Sequence, residues 1–431
     1  MQYHRAQRVV VNALLWVVFA VFFIRGSYGQ TQTFSSGSTG ADGALNLTTP
    51  GTIIFNPKAF SPPLNPAGDN VFNFTTINIA KGVTLKLSSA YLNGPVYWLA
   101  QGTVTINGTI DLGGANGQDL SNVTSLRVPA AGGPGGYNGG VGGNNGGPLP
   151  FTPQPGNGPG GGASASGCCA QGSTQGKNGS FTGNPYLIPL IGGSGGGGGE
   201  TFWNALGNAS PSFAGGGGGG GGAILIASSA SITYSGVISA NGGSGGGDRG
   251  LTTSPCGAGC GGSGGGGAIR LVAPVISQTT GGDGPCLNGG VGTLYAAVYR
   301  IEAFTFNPTF GGGCENVKTS TPISVAAPST PPSSLKVVSL VTSSGTIPIN
   351  ANPFSFPDAV INSSGPITVN VQAQYIPLGT IPNIIVLSEG ASDQSVACSA
   401  GLQGTLPQST CRASITFPTG GSRGFVKATW Q

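Results

Sequence analysis

The chain has 431 residues, of which 83 are Gly and 32 are Pro, while 16 are Lys or Arg and 12 are Asp or Glu. An average soluble domain is about 7% Gly and about 25% charged, so this composition excludes an ordinary cytosolic enzyme, a coiled coil and a nucleic-acid-binding protein. The hydrophobic fraction of 38% excludes a plainly disordered chain. Glycine runs, in place of a glycine at every third position, exclude collagen.

The amino terminus has the pattern of a secretory signal peptide. Arg5 and Arg8 precede an apolar run over 9–24, and small residues end at Gly29. We therefore predict cleavage after Gly29, since the run is shorter than the roughly 20 residues of a membrane span. Cleavage leaves 13 basic and 12 acidic residues, so the mature chain is nearly neutral and has no predicted membrane span.

Cleavage also removes His4, the only histidine of the chain. A mature chain without histidine has no Ser-His-Asp or Cys-His relay and no imidazole metal ligand. We therefore expect a protein that is not an enzyme and has no cofactor. Calcium held by Asp side chains and backbone carbonyls in the glycine-rich corners is the alternative, although the spacing of calcium-binding RTX repeats is absent.

Eight cysteines remain in the exported chain, and an even number there predicts disulfides. Cys398 and Cys411 lie close together near the carboxyl end, so we predict that they pair. Fifteen connectivities stay open for the other six, which are Cys168, Cys169, Cys256, Cys260, Cys286 and Cys314. A four-thiolate zinc site around Cys256 and Cys260 is the alternative that the compartment disfavours.

An internal repeat predicts the architecture of the first part of the chain. Residues 94–100 resemble 221–227 and 266–272, a fourth copy follows at 298–303, and 104–114 match 232–242. Each unit holds short strands separated by turns and cannot bury its apolar face alone, whereas stacked units can. We therefore predict an all-β fold with a parallel β-helix over 30–318. In this register Arg270 and Arg300 lie on adjacent coils and point outward.

Glycine-rich insertions at about 113–222, 242–267 and 281–292 interrupt this repeat. Because the first two leave and re-enter the repeat at equivalent places, we expect them to emerge as neighbours on one side. One interpretation is flexible loops, since ordering glycine costs the most entropy. The other is packed polyproline-II-like strands, whose backbones approach closely because no side chains separate them.

The carboxyl-terminal part predicts a separate domain. Residues 319–334 are rich in Ser, Thr and Pro and predict a stiff linker. Strict alternation over 367–375 predicts a strand with one buried face. About seven short strands over 335–431 favour a small immunoglobulin- or fibronectin-like β-sandwich.

Three stretches, 38–45, the glycine tracts leading into the two apolar repeats, and 421–430, resemble uncharacterised exported Gly-rich proteins of environmental bacteria. The resemblance implies an exported, repetitive β-rich protein with a terminal Ig-like domain, and it implies no activity. The glycine tracts also resemble the polyglycine bundles of certain antifreeze proteins and phage adhesin tips.

Carboxylates that could perform catalysis are scattered. Parallel β-helices often carry polysaccharide lyases and glycosidases, and glycoside hydrolysis needs two acids about 5–10 Å apart. Stacking could bring Asp248 and Asp283 together, but solvated turn aspartates are the interpretation that we favour. Glu302 beside Arg300 is expected to form a surface ion pair.

These observations predict a secreted or cell-surface structural or adhesive protein of bacterial type. It would act by contact, either with itself in a fibre or matrix or with an extracellular polysaccharide or other surface. Residues 30–55 are expected to add as a strand to a neighbouring copy. A carbohydrate-active enzyme on the same scaffold is one alternative. An ice- or glycan-binding protein is another, and it would require a regular array on a flat face.

Overall fold

A computed structural model of the chain describes residues 33–119, 127–145, 152–165, 175–202, 214–247, 259–279, 294–295, 297–308, 318–323, 325, 333–349, 359–361, 365–388, 394–417 and 424–430. The predicted signal peptide, the third glycine-rich insertion and five of the cysteines lie outside these residues. Within them the protein is all-β, as expected from the sequence, with a short 3-10 helix at Pro57–Ala59.

The strands of the first part are β1 Gly43–Leu47, β2 Gly51–Ile54, β3 Val71–Ile79, β4 Val83–Lys86, β5 Val96–Ala100, β6 Val104–Ile106, β7 Thr109–Asp111, β8 Gly143–Asn145, β9 Glu200–Phe202, β10 Ala223–Ser228, β11 Ser231–Tyr234, β12 Val237–Ser239, β13 Ala268–Gln278, β14 Leu294–Tyr295, β15 Val298–Asn307 and β16 Lys318–Ser320. The strands of the second part are β17 Ser334–Thr342, β18 Gly345–Pro348, β19 Ile367–Gln374, β20 Asn383–Ser388, β21 Gln394–Ala397, β22 Gln403–Thr405, β23 Gln408–Ile415 and β24 Gly424–Thr429.

The first part contains a nine-stranded parallel sheet whose pairings close on themselves. The closed ring runs β10-β5-β3-β6-β11-β13 and back to β10, with β1 beside β3 and β15 and β16 beyond β13. Closure follows from two long strands that each pair with two short ones: β3 pairs with β5 and then β6, and β13 with β10 and then β11. A second parallel sheet has the order β14-β12-β7-β4-β2, and β8 pairs with β9.

The repeated stretches lie side by side and run parallel. Ala223 pairs with Ala268, which pairs with Val298, and Val104 pairs with Ile232, as the sequence alignment predicts. One alignment was wrong by a residue, since Val96 pairs with Ile224 and not with Ala223. The offset of 128 residues between these two units is constant from β5 to β7, so core residues of one unit stack on core residues of the other, as Ile110 does on Ile238.

Apolar side chains from both parallel sheets form one core. They include Trp98, Phe72, Phe74, Ile106 and Ile238, all fully buried. Short parallel strands can bury so many large residues because side chains in register stack on those of the next strand.

The first strands belong to this core and are not left for a neighbouring copy. Strand β1 pairs with β3 and β2 pairs with β4, with Leu45 buried. Phe55, Leu64 and the partly buried Phe60 pack on the same core, and the Phe55 ring lies 5.6 Å from that of Trp98. The expectation that 30–55 adds to another subunit is therefore wrong for 43–55, because these residues cover apolar surface of their own chain.

The glycine-rich segments are ordered where the structure describes them, and the first two insertions are neighbours as expected. Together they form a unit that we call the glycine bundle, made of 112–119, 127–145, 152–165, 175–200, 214–222, 240–247 and 259–267. Segment 214–222 lies in its centre and every one of its residues is buried.

Backbone hydrogen bonds in the bundle follow a period of three. Gly215, Gly218 and Gly221 donate to the carbonyls of 259, 262 and 265, whereas 216, 219 and 222 donate to 118, 115 and 112. The third set, 217 and 220, donates to 140 and 137. A polyproline-II helix has three residues per turn, so each segment bonds neighbours in three directions. The segments thus adopt the packed form and not that of flexible loops.

The second part has two antiparallel sheets, with orders β18-β17-β19-β23-β22 and β21-β20-β24. They share a core that includes Val369, Val371, Ile384 and Val386. Cys398 and Cys411 form a disulfide within it, the pair expected from their proximity in the sequence. Cys260 is also disulfide-bonded. The expected linker begins later than 319, because Lys318–Ser320 is strand β16 and pairs with β15.

Candidate functional site: a polar face on the closed sheet

One face of the closed sheet carries polar side chains in register on six strands. Leu45, Ile77, Val104 and Ile232 occupy the core side, so the residues that follow each of them occupy the opposite side. We call the resulting row the polar face; its members are Asn46, Asn78, Thr105, Thr233, Ser277 and Asn307.

A second row continues the same surface. Ser231, Val275 and Thr305 are in register with one another, two positions before Thr233, Ser277 and Asn307. Neighbouring strands are about 4.8 Å apart, so six strands give a row about 24 Å long. Neither row contains an ionisable side chain. The surface is therefore regular and uncharged.

The polar groups of this face are open to solvent contact. Asn46, Asn307 and Thr305 are exposed, and the inner members of the row are half-buried. Asn78 donates through Nδ2 to Oδ1 of Asn46 at 2.8 Å. Among the described residues, the hydroxyls of Thr105, Thr233 and Ser277 have no hydrogen bond to another protein group. These hydroxyls are available to a ligand.

The second parallel sheet presents a different outer face. Thr52, Thr84 and Thr109 are in register there, but the next row contains Lys86 paired with Asp111. This sheet therefore offers threonines of the same kind in a charged setting, which makes it a natural comparison for the polar face.

The outer side of β13 and β15 is covered instead of exposed. Arg270 and Arg300 lie on paired positions, as predicted, but both are buried and flank a fully buried Glu302. The Glu302 carboxylate accepts from Nε of Arg270 at 2.9 Å and from Nε of Arg300 at 2.7 Å. The expected surface ion pair is thus wrong. The exposed ring of Tyr186 covers Arg300 at 4.9 Å, and it comes from a glycine-rich segment that the sequence did not place.

This charge cluster fastens the last strand of the sheet. Arg300 donates through Nη2 to the hydroxyl of Ser320 at 2.7 Å, and the backbone N–H of Ile323 donates to Glu302 Oε2 at 2.9 Å. Burial raises the pKa of the nearby Tyr97, an effect that the positive charge of Arg270 opposes. With these side chains all engaged and covered, the cluster has a structural role.

Three aspartates of the parallel part accept hydrogen bonds from backbone N–H groups. Asp42 accepts from the backbone N–H groups of Asn65 and Asn73, Asp69 from that of Val71, and Asp111 from that of Gly113. Asp248 and Asp283, the pair considered for catalysis, lie outside the described residues. Across the described parts of the chain, no group of three or more His, Cys, Asp or Glu side chains could hold a metal ion.

Sequence reasoning missed the polar face because its members are spread from residue 46 to residue 307. The alignment that pairs Val104 with Ile232 also pairs Thr105 with Thr233. The alignment of Ala223 with Ala268, extended along the chain, would however place Thr233 beside Gln278, whereas the structure pairs Thr233 with Ser277. The row is therefore a regular array that the sequence alone did not reveal.

Comparison with known proteins adds no relative to these observations. No family model matches the chain, and neither the curated proteins nor the solved structures contain a match. The described residues also include no helix that is long and apolar enough to cross a membrane.

Proposed function

We propose that this is a secreted or cell-surface structural or adhesive protein, without catalytic activity, that acts by contact through the polar face. The observation that carries the proposal is the regular, uncharged row of Asn, Thr and Ser side chains on paired parallel strands. Such a surface is held rigid by the backbone ladders beneath it, so little conformational entropy is lost when it meets a partner.

The fold proposed with this function is a parallel β-helix with lateral glycine-rich elements, followed by an Ig-like sandwich. Constant register between repeated units supports the coil interpretation, because successive turns of a solenoid pair strand on strand. The closed ring of pairings would then be two adjacent faces of the coil joined through β3 and β13. The sandwich is supported by two antiparallel sheets that share one core, and this core includes the Cys398–Cys411 disulfide.

Surface contact is favoured over growth into a fibre by residues that cover the region beside the first strands and part of the glycine bundle. Phe55, Phe60 and Leu64 cover apolar surface beside the first strands. At the rim of the glycine bundle, Asn116 accepts from the N–H of Ser244 and Asn178 from that of Ser263. These side chains occupy donors that a second bundle would otherwise pair with.

The proposal is tested by adsorption of the purified protein to solids of different chemistry, namely polysaccharide particles, silica, hydroxyapatite and intact bacterial cells. We expect retention on at least one solid, with a strong loss when Thr105 and Thr233 are both replaced by Lys. Negative-stain microscopy of the same protein should show single particles. An unretained protein that forms neither filaments nor a matrix would refute the proposed function.

A further inference from the structure

We infer that the polar face binds an uncharged, extended polysaccharide, an inference that rests on the surface-contact function proposed above. The partner follows from three properties of the face: its lack of charge, the chemistry of its side chains and the geometry of its rows.

The lack of charge removes several classes of partner. Nucleic acids and acidic polysaccharides are held by Arg and Lys side chains, and neither row contains one. Calcium minerals are held by carboxylates, which the rows also lack. A neutral partner is the remaining match.

The side chains suit a partner that combines hydroxyl groups with apolar C–H surface. Thr and Ser hydroxyls each donate and accept, and the Asn amides at 46, 78 and 307 do both. The methyl groups of Thr105 and Thr233 and the side chain of Val275 add small apolar contacts between these groups. Neutral sugar rings present the complementary arrangement of hydroxyl edges and C–H faces.

The geometry favours a chain over a single sugar. The row repeats at about 4.8 Å along about 24 Å, so a hydroxyl or amide group recurs on successive strands. A partner that repeats along its length would meet several equivalent sites at once, and weak contacts would add up. A folded protein, including a second copy of this one, would instead be expected to meet an apolar interface core with large side chains, which this face does not provide.

The test is co-sedimentation of the purified protein with microcrystalline cellulose and chitin, which are neutral, and with alginate gel, which is acidic. The probe variant carries Thr105→Lys and Thr233→Lys. The matched control carries Thr84→Lys and Thr109→Lys, which add the same charge at half-buried threonines on the second parallel sheet. Thermal unfolding and circular dichroism of each variant check that the fold is kept.

We expect binding to cellulose or chitin, about tenfold or more weaker in the probe variant and changed less than about twofold in the control. Binding to alginate alone, or equal binding by the probe and control variants, overturns the inference. The inference is also overturned if the probe variant, but not the control, loses a different property: retention on silica, inhibition of ice growth or dimerisation in sedimentation velocity. Any of these three results would keep the contact function and show that only the proposed partner is wrong. Failure to bind any solid would remove both the contact function and the polysaccharide partner.

Discussion

At the scale of single residues, whether the glycine bundle can accommodate a side chain depends on which of three directions that side chain would point in. A Cβ added at Gly217 would lie 1.9 Å from the carbonyl oxygen of Gly196, and one at Gly220 would lie 1.9 Å from that of Gly193. At Gly216 the nearest atom to an added Cβ is the backbone nitrogen of Gln118, at 3.3 Å. Adjacent glycines in one segment therefore differ sharply in the space around them.

We predict that Gly217→Ala destabilises the protein by about 3 kcal/mol or more, because two backbones must separate. Gly216→Ala should change the free energy of unfolding by less than about 1 kcal/mol, since the small crowding is offset by lower entropy of the unfolded chain. Denaturant unfolding of both variants measures the difference. Equal effects at the two positions would contradict the packed arrangement of the bundle.

A second residue-scale prediction concerns Tyr234, whose hydroxyl is buried with no hydrogen-bond partner in the described protein. An unsatisfied buried hydroxyl costs about 1–3 kcal/mol, so Tyr234→Phe should stabilise the protein by up to that amount. Burial raises the pKa of Tyr234 well above its ordinary value of 10.0. The unfolded chain then ionises first as pH rises, and stability is lost above about pH 10.

Thermal unfolding of wild type and Tyr234→Phe at pH 8 and pH 11 checks both statements. The free energy of unfolding should fall less between pH 8 and pH 11 in the variant, because the variant lacks one tyrosine whose pKa is raised by burial in the folded state. A lower midpoint for the variant at pH 8 would mean that the hydroxyl has a partner, such as an internal water.

At the scale of strands, the buried charge cluster decides whether β16 stays attached. Glu302 forms ion pairs with both Arg270 and Arg300 and also accepts from the N–H of Ile323. Removing one partner of a buried ion pair costs about 3–5 kcal/mol, since the remaining charge stays desolvated. We predict a loss of this size for Glu302→Gln, measured by chemical denaturation.

The matched control is Lys86→Gln, at an exposed position, which should change stability by less than about 0.5 kcal/mol. Hydrogen exchange gives an independent readout: the Ile323 amide should lose protection in Glu302→Gln and keep it in the control. Unchanged exchange at Ile323 would show that the cluster does not fasten this segment.

Some strands and contacts can be predicted from the sequence and others cannot, depending on whether a local residue pattern marks them. The apolar repeats predict the parallel pairing of β10, β13 and β15, because equivalent residues must stack to bury their side chains. The burial of Arg300 leaves no local signal, since Tyr186, whose ring lies against its guanidinium group, comes from a distant segment. Strands β18 and β22 are only four and three residues long and carry turn residues, so their alternation is too short to detect.

The glycine bundle and the polar face illustrate the same limit in different ways. Glycine carries no side-chain pattern, so the period of three exists only in the backbone hydrogen bonds. The polar face has a pattern, but it runs across strands and not along them. Register must be known before Asn46 and Asn307 can be recognised as parts of one surface.

At the scale of the whole molecule, the described chain has two separate hydrophobic cores. One is formed by the parallel strands and contains Trp98 and Ile301, and the other is formed by the antiparallel strands and contains Val371 and Ile384. Cores that share no side chains are expected to unfold as separate cooperative units. The protein should therefore show two calorimetric transitions.

Replacing Cys398 and Cys411 together by Ser assigns these transitions. The disulfide closes a loop with a sequence separation of 13, for which loop closure contributes about 3 kcal/mol. We predict that the variant lowers the midpoint of one transition, that of the antiparallel sheets, and leaves the other within about 1 °C because sites without shared partners act independently. Adsorption to solids should also persist at temperatures between the two midpoints, because the polar face belongs to the parallel core. A single transition that shifts as a whole would show that the two cores unfold together, and loss of adsorption at the lower transition would place the contact surface on the antiparallel sheets.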